Sequence, residues 1–199
     1  MSIRYANYTI NGISPLLQNN PQTVDRFNRY SRAMAVINKK GQRRTDDDFE
    51  AIRDLEIRAK IYWDDDQGIY VPTTWVHAAL CQISFTQAKI SKANMRGAVF
   101  MAEPTSKLKY RSIGKVKGVD DIVKNGEFRH LMLLKQGQVR VAKAVPIFHD
   151  WSFSGGIEFD DKVIDPDTIS QLLHHAAHYG GFGDFRPTFG RAQVEVNHD

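Results

Sequence analysis

Residues 165 to 196 read DPDTISQLLHHAAHYGGFGDFRPTFGRAQVEV, and the fold is best approached from them. Asp165 is a helix cap, Pro166 suits the first helical position, and Asp167 places a carboxylate in the first turn. Ile169, Leu172, Leu173, Ala176 and Ala177 recur at helical spacing, and Gly180 stops the helix. A glycine-rich stretch from Gly180 to Arg191 then leads into a strand at 192–196, with Val194 and Val196 inward and Gln193 and Glu195 outward. A helix, a tight loop and a closing strand need a sheet to join.

The rest of the chain supplies one. Residues 3 to 13 (IRYANYTINGI) alternate as an opening strand, ended by Ser14-Pro15, and Pro21 closes a polar loop, LLQNNPQ. Asp25 is expected to cap a helix to about Asn38, with Phe27, Tyr30, Met34 and Ile37 on its apolar side. A second helix fits 46–61, its first turn rich in aspartate and its stripe made of Phe49, Ile52, Leu55 and Ala59. Short strands flank the DDDQG turn at 64–68. Pro72-Thr73-Thr74 opens a third helix to about Ala88, with either threonine able to cap it. Strands at 98–101 and 107–111, a hairpin turning at Gln136-Gly137 and a strand in WSFSGGIEF follow. This order predicts an α+β fold: a largely antiparallel sheet with helices on one face, of the ferredoxin-like split βαβ kind. A single domain over 1–199 is expected.

The 199 residues include one cysteine, Cys81, which excludes an internal disulfide framework and a multi-cysteine zinc site. No apolar run reaches the roughly 20 residues that span a bilayer, and MSIRYANYTI lacks a signal-peptide core. A cytoplasmic protein with no membrane association is expected. The formal charge of +4 hides a segregation: residues 86–143 hold 13 basic side chains against four acidic ones, whereas the remainder holds 14 against 19. Such asymmetry points to a polyanion-facing surface. The plain alternative is a lysine-rich, solvated insertion.

Four glycines, Gly180, Gly181, Gly183 and Gly190, give the final loop access to positive φ and close backbone approach. The loop lacks GK[ST] and follows a helix rather than a strand, so it is neither a Walker loop nor a dinucleotide fingerprint. Arg186 and Arg191 bracket Phe189, a combination suited to phosphate contact and base stacking. A structural turn with core phenylalanines is the competing reading. His174 and His178 lie one helical turn apart, yet no further ligand is evident, so no metal or cofactor is expected. The aspartate runs at 46–48 and 64–66 are explained by a cap and a turn. His149 and Asp150, as neighbours on a strand, would point to opposite faces.

The helix, glycine turn and Phe189-Gly190-Arg191 run into the last strand resemble the glycine-rich loop of the RAMP superfamily, the RNA-binding backbone and processing subunits of CRISPR systems. Gly12-Ile13-Ser14-Pro15-Leu16-Leu17 is similar to that family's exit from its first strand. Val71-Pro72-Thr73-Thr74-Trp75 is similar to the start of a helix in its backbone subunits, with Thr73 where the family has glycine. These patches cover about thirty residues. The chain is short for a backbone subunit and shows no second repeat, which implies a small stand-alone relative of phage or mobile-element kind.

The resemblance implies a ferredoxin-like, RRM-related core that binds single-stranded nucleic acid, RNA or DNA, without sequence dependence, and assembles along it as a homo-oligomer. It also implies that the basic insertion at about 89–118 is a protruding β-hairpin or thumb. The expected contacts are Lys89, Lys92, Arg96, Lys107, Lys109 and Arg111 on the insertion, with Arg186, Arg191 and Phe189 at the glycine-rich loop. Phe100 and Tyr110 are stacking candidates among the cations. The alternatives are a metal-independent endoribonuclease using His174, His175 or His178, and a decoy that copies a CRISPR subunit and binds protein. A non-enzymatic binder is the leading expectation.

Overall fold

The computed structural model describes residues 2–198, apart from the side chains of Gln136, Val139 and Arg140. In chain order its strands and α-helices are β1 (Ile3–Gly12), β2 (Leu16–Leu17), α1 (Arg29–Asn38), α2 (Asp46–Lys60), β3 (Trp63–Asp64) and β4 (Gly68–Pro72). Then come α3 (Thr74–Ala88), α4 (Lys92–Ala98), β5 (Val99–Met101), β6 (Thr105–Lys107) and α5 (Val119–Lys124). The chain closes with β7 (Arg129–Gln136), β8 (Val139–Phe148), β9 (Ser152–Asp160), α6 (Pro166–His175) and β10 (Ala192–His198).

The fold is α+β. Its principal sheet is four-stranded and antiparallel throughout, in the order β10-β1-β9-β5. Alternation along β1 explains why this sheet has two unlike faces: Ala6, Tyr8 and Ile10 are buried, whereas Asn7 is exposed and Thr9 and Asn11 are half-buried. The buried face carries α3 and α6, which pack on each other and on the flanking strands β5 and β10. Asp165 caps α6 as expected, accepting from Thr168 N at 2.8 Å. The helix ends in a π-helical turn over Ala176–Gly180. Two smaller sheets, β2-β8-β7 and β3-β4-β6, extend the molecule.

Several expectations are corrected. Asp25 caps only a local turn; the helix starts at Arg29 behind Asn28, whose side chain accepts from Tyr30 N, and Phe27 lies exposed. Leu16 and Leu17 are a buried strand rather than a loop, because β8 supplies its backbone partners. The buried stripe of α2 runs through Glu56, Ile57 and Ala59, while Phe49 faces solvent, because the helix packs on β8 with its C-terminal half. Neither threonine caps α3 with its side chain as expected; the Thr73 hydroxyl instead donates to the Glu103 carbonyl.

The basic insertion also differs. It contains one helix absent from the sequence reading, α4 behind the Ser91 cap, and a second, α5, follows the insertion. It forms no protruding hairpin: β5 pairs with β9 and β6 with β4, so its strands are built into two sheets. The long hairpin is instead β7–β8, turning at Gly137 with φ +61° as the sequence predicts.

Candidate nucleic-acid interface

From Thr105 to Arg111 the chain is extended and alternates strictly: Ser106, Leu108 and Tyr110 are buried, while Lys107, Lys109 and Arg111 are exposed. Lys109 exchanges backbone hydrogen bonds with Ser152 at the start of β9, at 2.8 and 2.9 Å. This pairing extends the principal sheet and puts the three cations on its helix-free face, along one rim. The adjoining surface is Ser152, Ser154 and Glu158 of β9, Asn7, Thr9 and Asn11 of β1, and Gln193 and Glu195 of β10, paired in register. Tyr5 and Phe100 flank Glu158 on this face, and Phe100 is 50% exposed. Arg191 stands exposed just before β10, two residues from Gln193, at the opposite edge.

The predicted site residues therefore separate. Lys107, Lys109 and Arg111 share one rim; Arg111 also pairs with the exposed Asp150 at 2.8 Å, which holds that carboxyl below its usual range. Lys89, Lys92 and Arg96 belong to the helical layer, where α4 packs on α3. Burial pushes the Cys81 thiol up, and the neighbouring Arg96 and Lys92 charges partly offset it. Lys89 closes α3 in the left-handed region, its ammonium over the Phe85 ring. Tyr110 is a core residue, packed edge-on against Phe128 and Phe148, because the alternation that exposes Lys109 buries it.

The glycine-rich loop is a clasp. Gly190 N donates to Pro15 O at 2.8 Å, Asp184 N to Leu17 O at 3.0 Å, and Phe182 N to Gly190 O at 2.8 Å. Gly181, Gly183 and Gly190 have φ of +73°, +76° and +75°. A Cβ on Gly183 would strike Leu17 O, and one on Gly190 would strike Phe182 O, whereas Gly180 meets nothing. Two of the three stretches that carry the resemblance thus bind each other. Phe182 is core, and the half-buried Phe189 packs on the Leu17 cluster and near His130, so neither is free to stack on a base. Arg186 remains exposed beside a cavity of about 430 Å³ that Gln82 and Asp184 also line.

His174, His175, His178 and Tyr179 line a cavity of about 630 Å³ between α6 and β10. Among the described residues, no three His, Cys, Asp or Glu side chains converge as metal ligands. No described helix is long and apolar enough to cross a membrane. The Asp46–Asp48 run caps α2 through a Thr45–Asp48 capping box, and Asp64 accepts from the Asp66 and Gln67 amides in a turn.

Residues missed in the sequence were Tyr5 and Asn7. Their individual types carry no signal; they join this face because β1 pairs in register with β9. No protein-family model matches the chain, and no curated protein matches its sequence.

Proposed function

We propose that this chain binds single-stranded nucleic acid, RNA or DNA, as a non-enzymatic protein with a ferredoxin-like core related to the RAMP superfamily. The observation that carries the reading is the helix-free sheet face, with Lys107, Lys109 and Arg111 along one rim and Tyr5 and Phe100 on its surface. Cations in a row track a phosphate backbone, and exposed aromatics stack on unpaired bases, which a duplex keeps inside. The ferredoxin-like assignment draws on the β1-α3-β5-β9-α6-β10 succession and the β10-β1-β9-β5 order. Assembly of several copies along one strand belongs to the same reading.

Gel shift with labelled single-stranded RNA, single-stranded DNA and duplex tests it. Retention of a single strand at low salt, lost as salt rises, is the expected result; no shift with any ligand removes the reading. Light scattering with and without oligonucleotide tests assembly, and a monomer under both conditions removes that part.

A second reading, metal-independent RNA cleavage, draws on the histidine-lined cavity at the end of α6. Intact RNA after incubation with clean protein, with or without chelator, would eliminate it.

A further inference from the structure

A denser run of positive charge lies outside the surface described above. From residue 26 to residue 44 the chain holds seven arginines and lysines and no aspartate or glutamate. The segment is α1 with its flanks. No residue of α1 is fully buried. Arg29, Arg32, Val36 and Lys39 follow one another at three- and four-residue spacing and are all exposed, so one side of the helix is a basic stripe facing solvent. Arg26, in the turn before the helix, is exposed as well.

The arginines here are held in place without being neutralised. The guanidiniums of Arg26 and Arg32 lie 4.9 and 5.3 Å from the centre of the Phe27 ring, which is 61% exposed. That of Arg29 lies 4.6 Å from the centre of the Tyr30 ring and donates to its hydroxyl at 2.6 Å. Among the described residues none of the three pairs with a carboxylate, whereas Lys40 at the far end pairs with Asp48. Asp25, their neighbour in the chain, accepts from Phe27 N at 2.8 Å. The backbone beneath them is anchored to the end of α2: Gln22 Nε2 donates to Ala59 O at 2.7 Å and Asn20 N to Lys60 O at 2.9 Å. Ser31 Oγ donates to Thr23 O at 3.0 Å, which ties the helix to that turn. Side chains already stacked on a fixed scaffold lose less freedom when they bind.

We propose that α1 and the turn before it are a second surface for the single strand, with Arg26, Arg29 and Arg32 on its phosphates. The inference rests on the single-strand reading of the chain but not on the open sheet face. α1 packs on α2 and α2 on β8, whereas the open face belongs to β1, β9 and β10. A guanidinium is always charged, and its paired N–H groups match two oxygens of one phosphate. Its flat face is also a platform for an unpaired base, which a duplex keeps inside. Three arginines set around two aromatic rings therefore suit a single strand better than an acidic protein surface, which offers carboxylates but no planar bases. Contacts of this kind fix position and carry no base-edge readout, so they are independent of sequence.

Fluorescence anisotropy with a labelled T-only DNA strand and a U-only RNA strand, across a salt series, tests it. Arg26→Gln, Arg29→Gln and Arg32→Gln together should flatten the slope of log affinity against log salt by about 2, the release expected for three single-strand phosphate contacts. All three side chains are exposed, so the variant should keep the circular dichroism and melting temperature of wild type. Glutamine at Lys89, Lys92 and Arg96 removes the same charge and should leave the slope unaltered. An unchanged slope in the arginine variant overturns the proposal, and so does an equal flattening in the lysine-rich control, which would reduce the effect to net charge. Self-association lost without oligonucleotide, by light scattering, with the slope unchanged would assign the helix to a protein partner and overturn it too. Flattening by the arginine changes, with no effect of glutamine at Lys107, Lys109 and Arg111, keeps this surface and removes the open face. Absence of affinity for any single strand removes both.

Discussion

Gly190 occupies a position where both backbone angle and space exclude a side chain, with φ of +75° and the Phe182 carbonyl in the path of any Cβ. Gly190→Ala should therefore destabilise the fold by at least about 2 kcal/mol. Gly180→Ala, at an ordinary φ and in open space, should stay within about 0.5 kcal/mol. Urea denaturation of both variants checks this; equal losses would mean that the clasp is not what the glycines serve. A second expectation concerns Tyr110, whose burial against Phe128 and Phe148 pushes its pKa up to about 12. The folded state holds this proton more tightly than the unfolded chain, whose tyrosines titrate near about 10. The stabilisation is therefore complete below about pH 10 and is lost as pH rises toward about 12, at most about 3 kcal/mol. Tyr110→Phe should unfold at higher pH than wild type when followed by circular dichroism. An identical alkaline midpoint would contradict the assignment. Neither residue's environment was legible in the sequence: a glycine declares its freedom but not which carbonyl it must clear, and a tyrosine between lysines reads as readily exposed as buried.

Among the elements, α2 and the β7–β8 hairpin show how much of the basic surplus is already spent inside the molecule. Glu56, buried on α2, accepts from Ala144 N at 2.7 Å and pairs with Lys143 at 2.9 Å. Arg129 pairs with Glu50 and Asp54 of the same helix, and Lys60 donates to Ala144 O. Burial lowers the Lys60 pKa, and the Glu56 charge acts against that. Glu56→Ala should cost about 2 to 4 kcal/mol, since it leaves a buried amide and two ammonium groups without their carboxylate. The loss should be local: amide exchange should accelerate in β7 and β8 while β1 and β9 keep their protection. Uniform loss of protection would refute that division. The helix was legible through its periodicity and acidic first turn, and the hairpin through Gly137. Their docking was not, because a hydrogen bond between residues 88 positions apart in the chain leaves no local pattern.

Taken together, the charges form a narrower surface than the composition implies. Of the 13 basic residues over 86–143, Arg111, Arg129 and Lys143 carry an ion pair within the chain, and Lys89, Lys92 and Arg96 lie in the helical layer. If the open face carries the strand, replacing Lys107, Lys109 and Arg111 by glutamine should flatten the slope of log affinity against log salt by about 2, the release expected for three single-strand phosphate contacts. The same change at Lys89, Lys92 and Arg96 should leave the slope unaltered, and a reversed result would move the interface to the helices. Local pattern alone sufficed for β1, β10, α6 with its Asp165 cap, the β7–β8 turn and the α+β class, because periodicity, capping and turn chemistry act over a few neighbouring residues. The strand expected at 107–111 contains Lys107, Lys109 and Arg111. Their alignment on one rim, the closure of the glycine-rich loop onto Pro15 and Leu17, and the burial of Tyr110 against Phe128 and Phe148 came only with the folded chain. Each depends on strand pairings between residues far apart in sequence, and a register is set by the packing of both partners together.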